Sequence, residues 1–471
     1  MSGAMFGGDE VGALVLDIGS ATTRFGFAGE DTPKSVFPSV VGLAPSHHAA
    51  SQDSVPMDTS DRDLPSGTAG GAARRSRKSY VGTTTLAVVR SNVDLAGVMQ
   101  NGLVEDWERF ELLADYGFAT GLRVDAAQHP LLMIEPSWNP RESREHMTEL
   151  FFEKYNVPAF YLARSAVASA FANGRPTGLV LDIGASLSSA VPVVDGFVMP
   201  KSIMTSSVGG DFLLSQCAQY LEKNQIVIRP SYMVASKQAV ALNAAPKWTP
   251  RTFAEPISDS FHRYSKQLVL QDFVHSVLFC SGRTFDRDSV ANLPAASFEF
   301  PDGLNISLGA DRYRLAETLF DPETHADATA PAVSVSSRAS SASAMDATSD
   351  GTKDPAGGLA APKPIGLHRL ATAAINSCDV DVRPSIGSSV IVVGGGSLVR
   401  GLPERLDAEL RMALPAISKL KTVASGLSVE RMFSSWIGGS ILASLGSFQQ
   451  MWMSKQEYEE SGKAYIEKKC V

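Results

Sequence analysis

The sequence predicts an α/β fold with two domains, each of which contains the same strand, turn and strand at its centre. Its 471 residues are about three times the length of a typical domain of roughly 150 residues. The hexapeptide LVLDIG occurs at residues 14–19 and again at 179–184, as expected of an internal duplication. Apolar segments of strand length also alternate with segments of helical length, which is typical of α/β proteins.

Three apolar runs predict buried strands. They cover residues 12–19 (GALVLDIG), 177–184 (TGLVLDIG) and 388–396 (SSVIVVGGG), and each ends in glycine. Strands that are buried on both faces show continuous apolar runs of this kind. In both copies of the repeat, small and hydroxyl residues and then more apolar chain follow the glycine. This order predicts a strand, a turn and a second strand at the same place in each half.

Helices are predicted between these strands. Residues 140–155 begin with proline and acidic side chains, which favour a helix N-terminus. Residues 439–455 carry apolar side chains at helical spacing, and such a stripe is more typical of a core-facing helix than of a cofactor site. These apolar positions are Ile441, Leu442, Leu445, Phe448, Met451 and Trp452.

Two segments differ in composition from the rest of the chain. Residues 44–79 and 321–364 are rich in Ser, Asp, Pro, Gly and Ala and contain few large apolar side chains. Because such segments bury too little surface to offset the entropy of ordering their backbone, we expect both to be disordered insertions. The first one ends in a basic cluster, which is either a nuclear import signal or a solvated loop. The cluster consists of Arg74, Arg75, Arg77 and Lys78.

Charge and cysteine content argue against several classes of protein. The net charge of -8, from 42 basic and 50 acidic residues, argues against a protein that binds DNA through a basic face. The four cysteines are far apart and form no CxxC pair, so neither a disulfide framework nor a structural zinc site is expected. Without a signal sequence or an apolar run of about 20 residues, we expect an intracellular, soluble protein.

Each copy of the repeat predicts a phosphate-binding turn. Glycine and small side chains let backbone amides approach a phosphate closely. Asp17 and Asp182 would repel a phosphate, so we expect them to act through a hydrated divalent cation, usually Mg²⁺. Arg24 supplies compensating positive charge. One Asp-x-Gly turn alone is more often an ordinary hairpin, but two copies facing each other would hold the phosphates of one nucleotide from both sides.

A third glycine signal lies at residues 394–397, between an apolar strand and the helical segment LPERLDAELRMAL. By itself it predicts only a tight turn between strand and helix. Together with the two hairpins, it indicates where the backbone approaches a nucleoside.

These segments resemble the actin superfamily, within the wider group of actins, sugar kinases and heat-shock ATPases. The resemblance covers nearly the whole chain outside the two insertions, and residues 434–462 (SSWIGGSILASLGSFQQMWMSKQEYEESG) are similar to actin almost throughout. It implies an actin-like, ribonuclease-H-like duplicated fold with a nucleotide cleft between the halves. The small domain would comprise residues 1–173 and 434–471, and the large domain residues 174–433. Other matching segments are FPSVVG (37–42), KSYVG (78–82), NGLVEDWE (101–108), residues 129–161 and GRPTGLVLDIG (174–184).

Within the superfamily, the opening GGDEVGALVLDIGSATTRFGFAGEDTPK is similar to the nuclear actin-related proteins of the fourth class. These are actin-like subunits of chromatin-remodelling and histone-acetyltransferase complexes. The resemblance implies a nuclear protein whose partners are actin and a scaffold-subunit helix of the helicase-SANT-associated type. Histones or the nucleosome are further candidate partners, whereas membrane contact and sequence-specific nucleic-acid binding are not implied.

The resemblance also implies that ATP binds in the cleft with Mg²⁺ or Ca²⁺, which Asp17 and Asp182 would hold through water. The implied nucleotide contacts fall in the first loop, the second loop, the segment after the second hairpin, the region of the ribose and base, and the adenosine loop. They are Asp17, Gly19, Ser20, Ala21, Thr22 and Arg24; Asp182, Gly184, Ala185, Ser186 and Leu187; Gly209, with Gly210 and Asp211 beside it; Lys237 and Gln238; and Gly394, Gly395, Gly396, Leu398, Val399 and Met432.

Three positions depart from the pattern of actin. Ser165 stands where actin has the glutamine that orients the attacking water, Ala185 replaces an aspartate near the metal, and Ser189 replaces a histidine. Serine is too short to act as glutamine does from the same backbone position. Each positioned group contributes roughly 10²–10⁴ in rate. We therefore expect ATP binding with little or no hydrolysis, and no catalytic residue.

A partner groove is implied on the face opposite the cleft. Apolar side chains at this spacing suit an amphipathic helix, although Leu445 is expected at least equally in the core. Because the insertion at 44–79 replaces the loop through which actin contacts its filament neighbour, we expect no self-polymerisation. The groove positions are Phe171, Gly174, Ile437, Ile441, Leu442 and Leu445.

Three functions are therefore compared. The leading one is a nuclear structural subunit that retains ATP as a stabilising ligand. The second is an active ATPase or kinase of the same fold, which steady phosphate release that is lost on Asp17→Ala would favour. The third is a nucleotide-free scaffold, which denatured protein that releases no adenine nucleotide would favour.

Overall fold

A computed structural model describes residues 12–44, 78–326 and 362–470. None of the helices in these ranges combines the length and the apolar character that a bilayer crossing requires. The strands are Leu14–Ile18 (β1), Thr22–Phe27 (β2), Ser35–Pro38 (β3), Val40–Leu43 (β4), Ser79–Tyr80 (β5), Asp94–Gly97 (β6), Met99–Gln100 (β7), Leu103–Val104 (β8), Leu131–Glu135 (β9), Ala159–Arg164 (β10), Gly178–Ile183 (β11), Ser188–Val194 (β12), Phe197–Val198 (β13), Met204–Ser206 (β14), Val234–Gln238 (β15), Lys247–Pro250 (β16), Ala296–Glu299 (β17), Asn305–Leu308 (β18), Val390–Val393 (β19), Thr422–Val423 (β20) and Met453–Ser454 (β21). The helices are Thr83–Ala87 (α1), Trp107–Tyr116 (α2), Arg141–Glu149 (α3), Ser165–Ala172 (α4), Gly210–Lys223 (α5), Asp259–Val277 (α6), Arg287–Val290 (α7), Asp311–Glu317 (α8), Pro322–His325 (α9), Leu367–Ser377 (α10), Arg383–Gly387 (α11), Leu402–Ala413 (α12), Ser428–Met432 (α13), Ser434–Ser444 (α14), Lys455–Ser461 (α15) and Ile466–Lys469 (α16).

The first sheet has the strand order β21-β10-β9-β1-β2-β3. Its central strand β1 is antiparallel to β2 and parallel to β9. All five residues of β1 are buried, as its continuous apolar run predicts for a strand covered on both faces. Trp436 on α14 is fully buried against this sheet, and its indole N–H donates to the carbonyl oxygen of Val15 at 3.0 Å.

The second sheet repeats this arrangement. Its order is β13-β12-β11-β19-β20, with β14 paired to β12. Strand β11 is antiparallel to β12 and parallel to β19, so these three strands correspond to β1, β2 and β9 of the first sheet. The structure therefore confirms the predicted α/β fold and the duplication that the repeated hexapeptide indicated. Helices α5, α6, α10 and α12 contribute to the core on this sheet.

Helices α4 and α14 connect the two halves of the molecule. They pack against each other so closely that a Cβ atom at Gly438 would collide with the backbone of Ala168. Their first residues, Ser165 and Ser434, line the space between the two sheets, and their last turns carry Phe171 and Ile441, which are 38% and 39% exposed. The two helices therefore run from that space to exposed surface.

The predicted helix at 140–155 is confirmed, whereas the one at 439–455 is correct only as far as Ser444 and wrong beyond it. Helix α3 begins after Pro140, and wider helical turns at Leu150–Lys154 continue it. Helix α14 instead starts at Ser434 and ends at Ser444, and Leu445 has an extended backbone with ψ of 131°. Glycine at position 446, a poor helix former, follows directly. A short 3₁₀ turn and strand β21 then replace the expected helix.

Most of the two predicted disordered insertions lies outside the described residues. At their ends, the structure contains more order than predicted. Ser79 belongs to β5, which pairs with β4. Asp321 caps α9, because its carboxylate accepts a hydrogen bond of 3.3 Å from the amide of Thr324. The second boundary therefore lies later in the chain than the composition indicated.

Candidate functional site

The two copies of the repeat form equivalent hairpins whose turns meet. In the first turn, the amide of Gly19 donates to the carbonyl oxygen of Thr22 at 3.0 Å, and Gly184 and Leu187 make the same bond at the same distance in the second. The hydroxyl oxygens of Ser20 and Ser186 lie 2.8 Å apart. The two turns are thus brought together from opposite halves of the molecule.

The backbone of these turns is suited to binding an anion. Within the described ranges, the amides of Ser20 and Ala21 donate to no backbone carbonyl, and neither do those of Ala185 and Ser186. Successive free amides in a tight turn form a concave anion site.

Asp17 is neutralised by a cation from its own hairpin. Asp17 and Arg24 are cross-strand partners in β1 and β2, and Arg24 Nη1 lies 2.5 Å from Asp17 Oδ2. The hydroxyl of Ser435, at the start of α14, donates to the same oxygen at 2.7 Å. The guanidinium group also lies over the ring of Phe433, 5.3 Å from its centroid.

Asp182 lacks this compensation. Its cross-strand partner is Ser189, so the second hairpin places a hydroxyl where the first has a guanidinium. Burial raises the pKa of Asp182 to about 6, and repulsion from Asp17 adds to the rise, while Arg24 opposes it. The charged form of Asp182 is therefore unfavourable unless a cation or donor approaches it.

A glycine loop follows β19, directly beside Asp182. Gly394 has φ of +89°, and a side chain there would collide with the carboxylate of Asp182 and the backbone of Ile183. A Cβ at Gly396 would collide with Ile183, whereas one at Gly395 would meet open space. The parallel pairing of β11 and β19 brings this loop to the second hairpin. Only glycine allows so close a contact of the two backbones.

Most of the sequence-predicted nucleotide residues line one cavity of about 340 Å³ between the two halves. This volume lies within the range of about 300–1,000 Å³ usual for small-molecule sites. The predicted residues that line it are Asp17, Gly19, Ser20, Ala21, Thr22, Arg24, Asp182, Gly184, Ala185, Ser186, Leu187, Gly210, Asp211, Gly394, Gly395, Gly396, Val399 and Met432.

Four of the predicted residues do not line this cavity. Gly209 lies behind the second turn, where a Cβ would meet the carbonyl oxygens of residues 184 and 185. Leu398 ends the short helical turn of the glycine loop. Lys237 and Gln238 were misplaced, since they are exposed on β15, and the ammonium group of Lys237 lies 2.6 Å from Glu299.

Side chains of helix α6 line the cavity although the sequence did not predict them there. Gln271, Val274 and His275 line the cavity, and their spacing puts them on one helix face. Trp138, whose indole N–H donates to the carbonyl oxygen of Asn101 at 3.4 Å, lines it too. For the three residues on α6, helical spacing was the only sequence signal, and it does not distinguish a core face from a cleft face.

The three positions that depart from the actin pattern also line the cavity. Ser165 begins α4, Ala185 lies in the second turn, and Ser189 lies on β12. Hydroxyl and methyl groups here leave no long polar side chain at these positions. Within the described ranges, no group of three or more His, Cys, Asp or Glu residues is placed to hold a metal directly.

The predicted groove residues lie at the far ends of α4 and α14. Phe171, Ile441 and Leu445 are 38%, 39% and 40% exposed, respectively. Leu442 is only 8% exposed and belongs to the core of the first sheet, so its assignment to the groove is wrong. Ile437 is half-buried and packs on the same core. Gly174 follows α4 with φ of +63°.

Known proteins are similar in sequence to this chain over nearly its whole length. Residues 8–471 match the family described as Actin. Actin-related protein 4 of Oryza sativa subsp. japonica is 39% identical over 475 residues, with 99% of this chain and 100% of the relative covered. Actin-related protein 4 of Arabidopsis thaliana is 36% identical over 466 residues at the same coverage. The protein of that name from Schizosaccharomyces pombe is 34% identical over 479 residues, with both chains fully covered. The chain therefore belongs to the actin family.

Proposed function

We propose that this protein is a nuclear, structural subunit of chromatin-remodelling and histone-acetyltransferase complexes. It holds ATP in its cleft with little or no turnover and docks, together with actin, onto a scaffold helix. The name that its relatives carry, Actin-related protein 4, supports this role. The observation that carries the nucleotide part is the meeting of two equivalent acidic hairpins across one cavity.

The residues present fit a metal-bound nucleotide. A Cβ atom at Gly395 would enter open space at the cavity, and Arg24 Nε is buried without a hydrogen-bond partner among the described residues. Asp17 and Asp182 supply carboxylate oxygens, which hard cations such as Mg²⁺ prefer. When bound, the cation would neutralise phosphate charge, and the two carboxylates would hold it through water.

Each part of the site has a separate role in binding. The free amides of both turns would hold phosphate oxygens, Arg24 would add positive charge, and the glycine loop would accept the nucleoside. Because the two turns belong to different halves, a ligand that contacts both stabilises their closed arrangement. Such a ligand adds free energy to the folded state alone.

Low turnover follows from the side chains that face the cavity. Hydrolysis requires a water held in line with the terminal phosphate and a group that takes its proton. Ser165 and Ser189 are too short to reach across as glutamine or histidine does, and Ala185 offers no polar group. At these three positions, the site thus lacks the groups that the resemblance to actin assigns to positioning water, whereas the groups that bind are retained.

Protein purified and then denatured is expected to release one adenine nucleotide per chain, which chromatography and mass spectrometry identify. Phosphate release should stay at the background rate, because Ser165, Ala185 and Ser189 supply no side chain long enough to position the attacking water. Asp17→Ala leaves Arg24 without its carboxylate partner and removes a metal contact, so nucleotide recovery should fall about tenfold. Absence of nucleotide from the wild type, or steady phosphate release that Asp17→Ala abolishes, would contradict the proposal.

Nuclear entry is assigned to the basic cluster at residues 74–78. Lys78 lies 5.7 Å from the centroid of the Tyr80 ring, while the other basic residues of the cluster lie outside the described ranges. Replacing all four basic residues by alanine should move a fluorescent fusion to the cytoplasm. An unchanged nuclear signal would show that import depends on a partner or on another sequence.

A further inference from the structure

Residues 229–266 carry a charge opposite to that of the whole chain. The chain has 42 basic and 50 acidic residues, yet this stretch contains six basic and two acidic ones. It comprises β15, β16, the loops beside them and the first turns of α6. A local excess of one charge attracts partners of the opposite charge. The basic residues are Arg229, Lys237, Lys247, Arg251, Arg263 and Lys266.

Two of these cations are neutralised where the hairpin of β15 and β16 meets β17 and the turn after it. The ammonium group of Lys237 lies 2.6 Å from a carboxylate oxygen of Glu299. Arg229 Nη1 lies 2.8 Å from Asp302 Oδ2, and its guanidinium group lies over the ring of Trp248, 5.1 Å from the centroid. Lys237 and Trp248 are cross-strand partners. These contacts therefore fix the inner face of the hairpin.

The other four cations are not neutralised within the described part of the chain. Lys247, Arg251, Arg263 and Lys266 form no ion pair with another described residue. Lys247 and Arg251 are exposed, and the two cations on α6 are half-buried. Long basic side chains commonly pack their stems against the protein and keep the charged group in water. Their charge is thus open to a partner.

Lys247, Thr249 and Arg251 form a row along the outer face of the hairpin. Strand β16 ends at residue 250, but the amide of Arg251 still donates to the carbonyl oxygen of Met233 at 2.8 Å, so the pairing continues. Alternate residues of a strand point to one face, and Trp248 points to the inner one. At about 3.3 Å per residue, Lys247 and Arg251 lie about 13 Å apart.

An aromatic cluster joins this row to α6. The ring of Tyr232 lies 5.8 Å from that of Phe253 and 6.1 Å from that of His262, measured between centroids. Tyr232 Oη and His262 Nδ1 lie 2.7 Å apart. Phe253 is 38% exposed. The row, the cluster and the two cations on α6 are here called the hairpin surface. It consists of Tyr232, Lys247, Thr249, Arg251, Phe253, His262, Arg263 and Lys266.

The composition of the hairpin surface favours a peptide over duplex DNA. Proteins that hold DNA through its phosphates commonly make about six to ten such contacts, more than four cations supply. Aromatic residues and arginine are enriched in protein interfaces, and here they lie among the cations. An extended peptide also advances by about 3.3 Å per residue. Carboxylates four residues apart would therefore match Lys247 and Arg251.

We propose that the hairpin surface binds an extended acidic peptide segment of a partner protein. Carboxylates of the peptide pair with Lys247 and Arg251, and an apolar side chain packs on Phe253. Arg263 and Lys266 add attraction from α6. This site is separate from the nucleotide cleft and from the groove for the scaffold helix, so the proposal goes beyond the proposed function and does not depend on it.

Fluorescence anisotropy of a labelled synthetic peptide tests the proposal. The probe has about ten residues, all Asp or Glu except for one central Phe. Lys247→Glu and Arg251→Glu should each weaken binding at least fivefold, because each replaces an attraction by a repulsion. Lys419→Glu is the matched control, since Lys419 is also exposed and forms no ion pair with a described residue. Equal affinities of Lys247→Glu and Lys419→Glu would overturn the proposal.

Intact folding of these variants is checked by circular dichroism. Lys247, Arg251 and Lys419 are all exposed, so the melting temperatures should match that of the wild type. If a glutamate variant melts earlier, Lys247→Ala and Arg251→Ala, which add no charge, take its place. Each alanine variant should then weaken binding at least twofold, and unchanged affinity of both would contradict the proposal.

Phe253→Ser distinguishes a specific contact from general attraction between charges. It should weaken binding of the probe about fivefold, because the peptide Phe loses its apolar contact. Binding of a second peptide, with Ser in place of that Phe, should be the same for the wild type and for Phe253→Ser. If the wild type binds both peptides equally well, the surface merely attracts negative charge and the proposal fails.

A labelled DNA duplex of about 20 base pairs tests the competing class of partner. We expect weak binding that Lys247→Glu and Lys419→Glu reduce equally, as unspecific attraction would. Tighter binding of the duplex than of the peptide, lost in Lys247→Glu and retained in Lys419→Glu, would assign the hairpin surface to nucleic acid and overturn the proposal.

Discussion

Ile441→Asp is expected to lower the affinity for an amphipathic scaffold helix at least a hundredfold while leaving the folded protein nearly unchanged. Ile441 is 39% exposed on α14, so a carboxylate there meets water in the free protein. In a complex, it would be buried in an apolar contact without a partner. Central interface residues commonly contribute 2 kcal/mol or more, which corresponds to about a thirtyfold change in affinity, and a buried charge adds to that.

Two matched variants show whether Ile441 acts as a groove residue or as a core residue. Met412→Asp places the same charge on α12, at a side chain that is 67% exposed and far in sequence from the groove, and it should bind normally. Leu442→Asp, one residue from Ile441 but buried, should lower the melting temperature strongly. Anisotropy of a labelled synthetic helix measures binding, and circular dichroism measures melting. Unaltered binding by Ile441→Asp, or unfolding of that variant, would contradict a groove at this surface.

The sequence was most informative where local pattern and global fold agree. The repeated hexapeptide required two buried strands, each followed by a tight turn, and the duplication required those strands to be central in equivalent sheets. The same pattern brought Asp17 and Asp182 to one cavity, because equivalent hairpins in a duplicated fold face each other. For these two hairpins, the geometry of the chain and the burial of the strands permit few other arrangements.

The sequence was least informative about features that depend on contacts between residues distant in the chain. The face of α6 that carries Gln271 and His275 has the same periodicity whether it meets a core or a cleft, so its role could not be predicted. The apolar residues from Ile441 to Trp452 likewise continue a helical spacing through a true helix end. Glycine at position 446 follows that end, whereas the prediction was based on the apolar spacing alone.

Asp182→Asn is expected to stabilise the nucleotide-free protein by up to about 3 kcal/mol at pH 7.5. Burial and the neighbouring Asp17 raise the pKa of Asp182 from 3.8 to about 6, and each pKa unit corresponds to about 1.36 kcal/mol. The unfolded chain ionises this carboxyl freely, whereas the folded chain resists its ionisation. Asparagine has nearly the same shape without the charge, so the variant avoids that penalty.

The pH dependence of the stabilisation by Asp182→Asn follows from the upward shift in the pKa of Asp182. Below about pH 3.8 the carboxyl is protonated in both states, and wild type and variant should be equally stable. As pH rises from 3.8 to 6, the unfolded state binds fewer protons than the folded one, so wild-type stability falls relative to the variant. Above about pH 6 the difference should stay constant. Denaturant unfolding at pH 4.5, 6 and 7.5 measures it.

Binding of magnesium-ATP should reverse the order of stability of the wild type and Asp182→Asn. A hydrated cation offsets the charge of Asp182, so the carboxylate that weakens the nucleotide-free fold becomes a contact once the cation is present. The wild type should therefore gain more stability from magnesium-ATP than Asp182→Asn does, at equal ligand concentration. Ser189→Ala, at the cross-strand partner of Asp182, is the control, since it leaves the charge in place and should keep both the pH trend and the gain. Equal gains for wild type and Asp182→Asn would mean that Asp182 holds no cation.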